Sequence, residues 1–200
     1  MSSALERRKL ASAAARLNAA HAGAGLLPSL VLMTDDERLP DPLAAARALP
    51  KGSMVIVRAR DAARRAEIAG ALRQLQGWLV VLIAGDAALA AATGADGLHL
   101  PEADACEAPH WRVRHPRWLI TAAAHNLHAV LAASRVDALL LSPVFVTRSH
   151  PGRAPLGAVR AGRIAQEAKV PVYALGGIDG RNARLLHGFV GIAAIDALAT

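Results

Sequence analysis

Five sets of residues in this sequence could do chemistry. His125 follows the apolar run Trp118–Ala122, and an imidazole with an unperturbed pKa of about 6.5 suits proton transfer near neutral pH. Arg58 and Arg60 stand two apart at the end of a second apolar run, Met54–Arg60. That spacing puts both on one face of a strand, and guanidinium groups suit phosphate bidentately. A third run, Val170–Leu175, ends in Gly176-Gly177. Paired glycines let the backbone approach a ligand and leave N–H groups for an anion. Thr147-Arg148-Ser149-His150 offers hydroxyls and positive charge, and Asp104 offers a carboxylate. Each set also has a plain structural meaning. A Gly-Gly can be a tight turn, a lone histidine a helix-start residue, a lone carboxylate a cap, and paired arginines a solvated face.

The elements that would position these residues alternate regularly. Short apolar runs read as strands at Leu30–Thr34, Met54–Arg60, Trp78–Ile83, Gly97–Leu100, Trp118–Ala122, Asp137–Leu141, Val172–Leu175 and Val190–Ile195. Helical segments lie between them: Leu43–Leu49, Asp61–Gln76, Asp86–Thr93, Asn126–Ser134, Val159–Lys169 and Asn182–His187. Pro101–Arg114 reads as less regular, because Pro109 interrupts it. Asp179 reads as the N-cap of a helix over residues 180–187. Buried parallel strands alternating with helices eight times give a closed (β/α)8 barrel, with a doubly wound open sheet as the alternative. In a barrel the site lies at the C-terminal ends of the strands, and phosphate sits at the loops after strands seven and eight. The Gly-Gly falls after strand seven. Gly188 leads into strand eight and Asp196 leaves it.

An Ala/Leu/Arg segment, Ser3–Ala20, precedes this pattern, with Leu5, Leu10, Ala13 and Leu17 on one face. We expect residues 1–27 to form an N-terminal helix and linker, and residues 28–200 the barrel. The closing helix after strand eight is cut short at Thr200, so the N-terminal helix is expected to cover that face. A second copy of the chain, in a homo-oligomer, is the alternative cover. Arg16, Asn18 and His21 interrupt what would be the apolar part of a signal peptide.

Composition narrows the function. The chain has 200 residues, 54% of them hydrophobic, which suits one core-forming domain. A single cysteine gives no disulfide framework and no zinc pattern, and a reducing cytoplasm is the expected setting. No run approaches the roughly 20 apolar residues of a membrane helix. The net charge of +7 raises nucleic acid as a partner, but aromatic residues make up only 3% and cannot supply a stacking surface. A solvated basic surface is the better reading, and a few inward arginines serving an anionic small molecule are compatible with it.

Four stretches in this order resemble the thiamine phosphate synthase/TenI family: Gly94-Ala95-Asp96-Gly97-Leu98-His99-Leu100, Ser142-Pro143-Val144-Phe145-Val146-Thr147, Pro155-Leu156-Gly157 and Ala174-Leu175-Gly176-Gly177-Ile178. The resemblance runs from about Leu30 to Leu198 and implies a (β/α)8 barrel of thiamine biosynthesis. Synthases of this family join an aminopyrimidine diphosphate to a thiazole phosphate, with magnesium and basic residues on the pyrophosphate. The related TenI proteins include a thiazole tautomerase that moves a proton with a histidine.

Residue by residue, the resemblance implies that Arg58 binds pyrophosphate and that Arg60 replaces a lysine. Asp104 corresponds to a magnesium carboxylate, and Thr147, Ser149, Gly176, Gly177 and Gly188 to phosphate contacts. His125 corresponds to the tautomerase histidine. Ala84 and Gly85 stand where synthases have Asn-Asp, Asp86 comes one place late, Ala123 replaces a serine, and Asp196 replaces a serine beside the phosphate. The implied ligand is a phosphorylated thiazole or pyrimidine, and the implied activity is thiazole tautomerisation or weak thiamine phosphate synthesis. A catalytically inactive member that binds or senses such a precursor is the alternative.

Overall fold

The computed structural model describes residues 3–39, 41–75, 77–133, 135–148, 152 and 154–199. Eight strands form a closed barrel in sequence order: β1 (Leu30–Met33), β2 (Met54–Val57), β3 (Val80–Ala84), β4 (Gly97–Leu100), β5 (Leu119–Ala124), β6 (Ala138–Leu141), β7 (Val172–Leu175) and β8 (Gly191–Ala194). Every pair is parallel, and β8 closes on β1 through Leu30↔Ile192 and Val31↔Ala193. The open-sheet alternative is thereby set aside. Most strand residues are buried on both faces, as apolar runs without alternation require.

Helices cover the barrel: α1 (Ser3–Ala20), α2 (Pro42–Arg47), α3 (Ala62–Leu72), α4 (Ala87–Thr93), α5 (Ala108–Arg114), α6 (Leu127–Ala132) and α7 (Ala158–Gln166). Local chemistry fixes their starts. Asp41, Asp61, Asp86 and Asn126 each accept a backbone N–H three residues on, at 2.8–2.9 Å. Among the described residues no helix is long and apolar enough to cross a membrane.

Two sequence expectations are corrected. Pro101–Arg114 is regular: a 3-10 turn, Glu102–Glu107, runs into α5. Pro109 sits in the first turn of α5, where its missing N–H has no intrahelical role. Conversely, residues 180–187 form only a 3-10 turn, Ala183–Leu185. Asp179 Oδ1 accepts from the N–H groups of Arg181 and Asn182 while its own N–H donates to Asn182 Oδ1, a reciprocal turn rather than a helix cap.

That short connection leaves β7 and β8 thinly covered, and the chain after β8 makes only a 3-10 turn, Asp196–Leu198. The N-terminal helix fills the gap. α1 packs on β8 and that last turn, burying Leu10, Ala14 and Leu17. Polar groups pin it: Asn18 Nδ2 donates to Val190 O at 3.1 Å, Arg7 to Ala199 O at 3.3 Å, and Gly180 N–H to Glu6 Oε1.

The Gly94–Leu100 stretch is structural. Gly94 ends α4 at φ +64°, Asp96 Oδ2 accepts the Val81 N–H at 2.7 Å, and a side chain on Gly97 would strike Leu119 O. In register with Ala84 and Thr121, His99 is buried, and its Nδ1 pairs with Thr121 Oγ1 at 2.9 Å.

Candidate active site

The C-terminal ends of β1, β6, β7 and β8 surround a small cavity of about 70 Å³ that opens to solvent. Its apolar part comes from Met33, Pro143, Leu175 and Ile178. Its polar part comes from Arg38, Arg58, Ser142, Thr147, Gly176, Gly177 and Asp196. Three of the four stretches singled out in the sequence build it together. Val144 N–H donates to Leu175 O at 2.9 Å and Phe145 N–H to Gly176 O at 3.0 Å. Leu156 and Gly157 N–H donate to Pro143 O and Val144 O, both at 2.9 Å. The chain after β6 is thus laced onto the end of β7.

Gly176 and Gly177 lie at φ +99° and +64°, and a Cβ on Gly177 would come within 2.2 Å of Val146 O. Only glycine allows this double left-handed turn against a neighbouring backbone. Among the described residues, the N–H groups of Gly176, Gly177, Asp196 and Ala197 donate to no protein acceptor. Backbone donors that line a cavity in this way make an anion seat.

The arginines around the seat are chained to carboxylates. Arg58 Nη2 lies 2.7 Å from Asp35 Oδ2, and Arg38 Nη2 lies 2.9 Å from the same oxygen. Arg38 Nη1 lies 3.8 Å from Asp196 Oδ2, and Arg148 lies 3.7 Å from it. The order Arg58–Asp35–Arg38–Asp196–Arg148 runs across the mouth. The hydrogen bond from Arg38, helped by Arg58, holds the Asp35 carboxyl well below the usual carboxylate range. Thr34 clamps the base of this chain: its hydroxyl donates to Arg58 O and accepts the Arg58 N–H.

Arg60 parts from Arg58. β2 ends at Val57, so the strand alternation that put them on one face stops before either. Arg58 lines the cavity, whereas Arg60 is 88% exposed beside Glu37 at 3.3 Å, on an open outer basin.

Across the mouth, at the β4 and β5 ends, His125 Nδ1 lies 2.6 Å from Glu102 Oε2. Neither residue lines the cavity at β7 and β8. His99, deeper in the barrel, is held neutral: burial, with the nearby positive charge of Arg58, lowers its pKa to about 4. Gly188 precedes β8, at the other end of the barrel, where it packs against Gly162 and Gln166 of α7. It lines no part of the cavity. Ser149 and His150 lie outside the described residues. Asp35, Arg38 and Glu102 join the site although their types and spacing gave no signal; their contacts with Arg58, Asp196 and His125 from distant parts of the chain reveal them.

The magnesium that the resemblance implies finds few donors. Ala84 and Gly85 offer no side-chain oxygen. Asp86 caps α4 at Leu89 N–H and faces Arg65 at 3.7 Å. Asp104 is half-buried in the turn after β4. Among the described residues no three His, Cys, Asp or Glu side chains gather into a group that could hold a metal ion by themselves, whereas magnesium is commonly held by one or two carboxylates together with substrate phosphates. Among the described residues the side chains do not form an all-protein magnesium cage.

Known proteins share this architecture. The family model for thiamine monophosphate synthase matches residues 30–198. The chain belongs to this family. The thiamine-phosphate synthase of Chlorobium luteolum is 31% identical over 181 residues, 86% of this chain and 85% of that protein. That of Chloroflexus aurantiacus is 35% identical over 115 residues, 55% of this chain and 53% of that one. The chain therefore spans about half the length of some curated relatives it matches. Among solved structures, the thiamine phosphate pyrophosphorylase of Pyrococcus furiosus superposes with a TM-score of 0.69 at 27% identity, covering 85% of this chain and 86% of that one.

Proposed function

We propose that this protein binds a phosphorylated thiazole of the thiamine-precursor type and transfers a proton on it, as a tautomerase. The phosphate takes the N–H groups of Gly176 and Gly177 and the charge of Arg58 and Arg38, while the apolar wall of Met33, Leu175 and Ile178 receives the ring. His125 exchanges the proton. The observation that carries this reading is the His125–Glu102 pair at the same barrel mouth, in a chain whose Asn-Asp pair is Ala84-Gly85. Joining a pyrimidine diphosphate to a thiazole needs a departing pyrophosphate to be neutralised, and preorganised charge is the main source of such catalysis. Arg60 and Glu37 neutralise each other outside the cavity. Proton transfer makes no such demand.

The chemistry is balanced within the ligand. A proton leaves one ligand atom for the imidazole and returns to another, and the electron pair shifts inside the ring without an oxidant or a leaving group. The test is incubation with the thiazole carboxylate phosphate. Conversion to its tautomer, lost in His125→Ala, is expected. Magnesium-dependent joining to the pyrimidine diphosphate at a greater rate would overturn the reading.

A further inference from the structure

Glu102 is a carboxylate to which sequence and family assign nothing. It opens the 3-10 turn after β4, directly behind Pro101, and its Oε2 meets His125 Nδ1 from the neighbouring strand end. We propose that Glu102 is the positioning residue of His125. It accepts the Nδ1 proton, fixes the tautomer whose Nε2 is basic, and stabilises the imidazolium formed when Nε2 takes a proton from the ligand. This role rests on the reading of His125 as the proton-transfer group.

Three features carry the inference. The contact of 2.6 Å is at the short end for a nitrogen donor and a charged oxygen. Both partners are held independently of each other. Pro101 fixes the chain entering the turn, Asn126 accepts the Ala129 N–H at 2.9 Å beside His125, and β4 and β5 pair in register up to Leu100↔Ala122. The pair is also sheltered: the His125 side chain is 19% exposed and that of Glu102 34%. Partial burial strengthens the attraction between a carboxylate and an imidazolium without stripping both of water.

Three other described histidines are occupied differently. His99 pairs with the Thr121 hydroxyl, His110 with Arg114, and His115 stacks on Trp118. Among the described residues His125 is the one histidine with a ring nitrogen against a carboxylate. A carboxylate on one ring nitrogen sets which nitrogen is basic, and so where the proton can go.

The test separates this role from a simple latch between two loops. Protein labelled with nitrogen-15 in histidine reports the tautomer of His125, assigned by its loss in His125→Ala. In its neutral form the wild-type ring should carry its proton on Nδ1. Glu102→Gln should mix the tautomers and lower kcat on the thiazole carboxylate phosphate by about 10²-fold. KM should stay unchanged, because the phosphate seat lies at β7 and β8. Glu102→Asp, which keeps the charge, should recover part of kcat and the wild-type tautomer. An unchanged His125 spectrum in Glu102→Gln would overturn the proposal, as would a loss confined to KM. A wild type that fails to turn over but shows the tautomer shift refutes the proposed reaction while upholding the positioning role.

Discussion

The Asp196 carboxylate lies 3.8 Å from the Arg38 guanidinium, at the rim of the cavity floored by Gly176 and Gly177. Beside unspent N–H groups a carboxylate competes with any incoming phosphate, and Arg38 and Arg148 hold it there. Asp196→Ser removes the repulsion and frees two arginines for the ligand. The pairs are partly solvated, with the Asp196 side chain 45% exposed, so the gain is modest. Affinity for thiazole phosphate should rise by about 2- to 5-fold, read by calorimetry. Weaker binding in this variant would mean that Asp196 orients Arg38 for the ligand instead of opposing it.

The N-terminal helix holds the barrel together at its thinnest point. Leu10 is fully buried between α1 and the β8 side. Leu10→Ala removes its packing and leaves a cavity, at a cost of about 2–5 kcal/mol. The urea midpoint should fall accordingly, and removal of residues 1–22 should lower it further. A midpoint unchanged by Leu10→Ala would show that α1 is not part of the cooperative unit.

His99 should give the fold a pH dependence of definite sign. Its pKa is about 4 in the folded barrel and about 6.5 when unfolded, so between these values the unfolded chain binds the extra proton. Stability is then fully present above about pH 6.5 and falls on acidification toward pH 4, by up to the order of 3 kcal/mol. Asp35 is depressed instead, so its contribution is lost only below the ordinary carboxylate range. The two windows do not overlap. Urea denaturation at pH 7 and pH 5 should show the slope in the wild type and a smaller one in His99→Gln. Equal slopes would place the acid sensitivity elsewhere.

Much of the barrel was legible because each strand is an apolar run bounded by turn residues, a local signal. The interruptions were less so. Pro109 looks like a helix breaker until its place in the first turn of α5 is known, and Asp179 looks like a cap until Asn182 is seen to answer it. The glycine turn was legible from Gly176-Gly177 itself. Its depth came only from the loop after β6, whose hydrogen bonds span about thirty residues of sequence. Glu102, Asp35 and Arg38 were invisible for the same reason. A carboxylate near a strand end looks like any cap, and its partner lies on another strand. Gly188 drew attention by neighbouring strand eight, yet it enters that strand where the phosphate seat needs a residue that leaves it.

The central claim is that His125 moves a proton on a ligand whose phosphate rests at the Gly176-Gly177 turn. The most direct measurement is deuterium incorporation from D2O into the thiazole carboxylate phosphate, followed by NMR in the presence of excess chelator. Wild-type protein should exchange the ring proton without added magnesium, and His125→Ala should slow that exchange by about 10²- to 10⁴-fold. No exchange above the protein-free rate, or exchange that is indifferent to His125, would contradict the account.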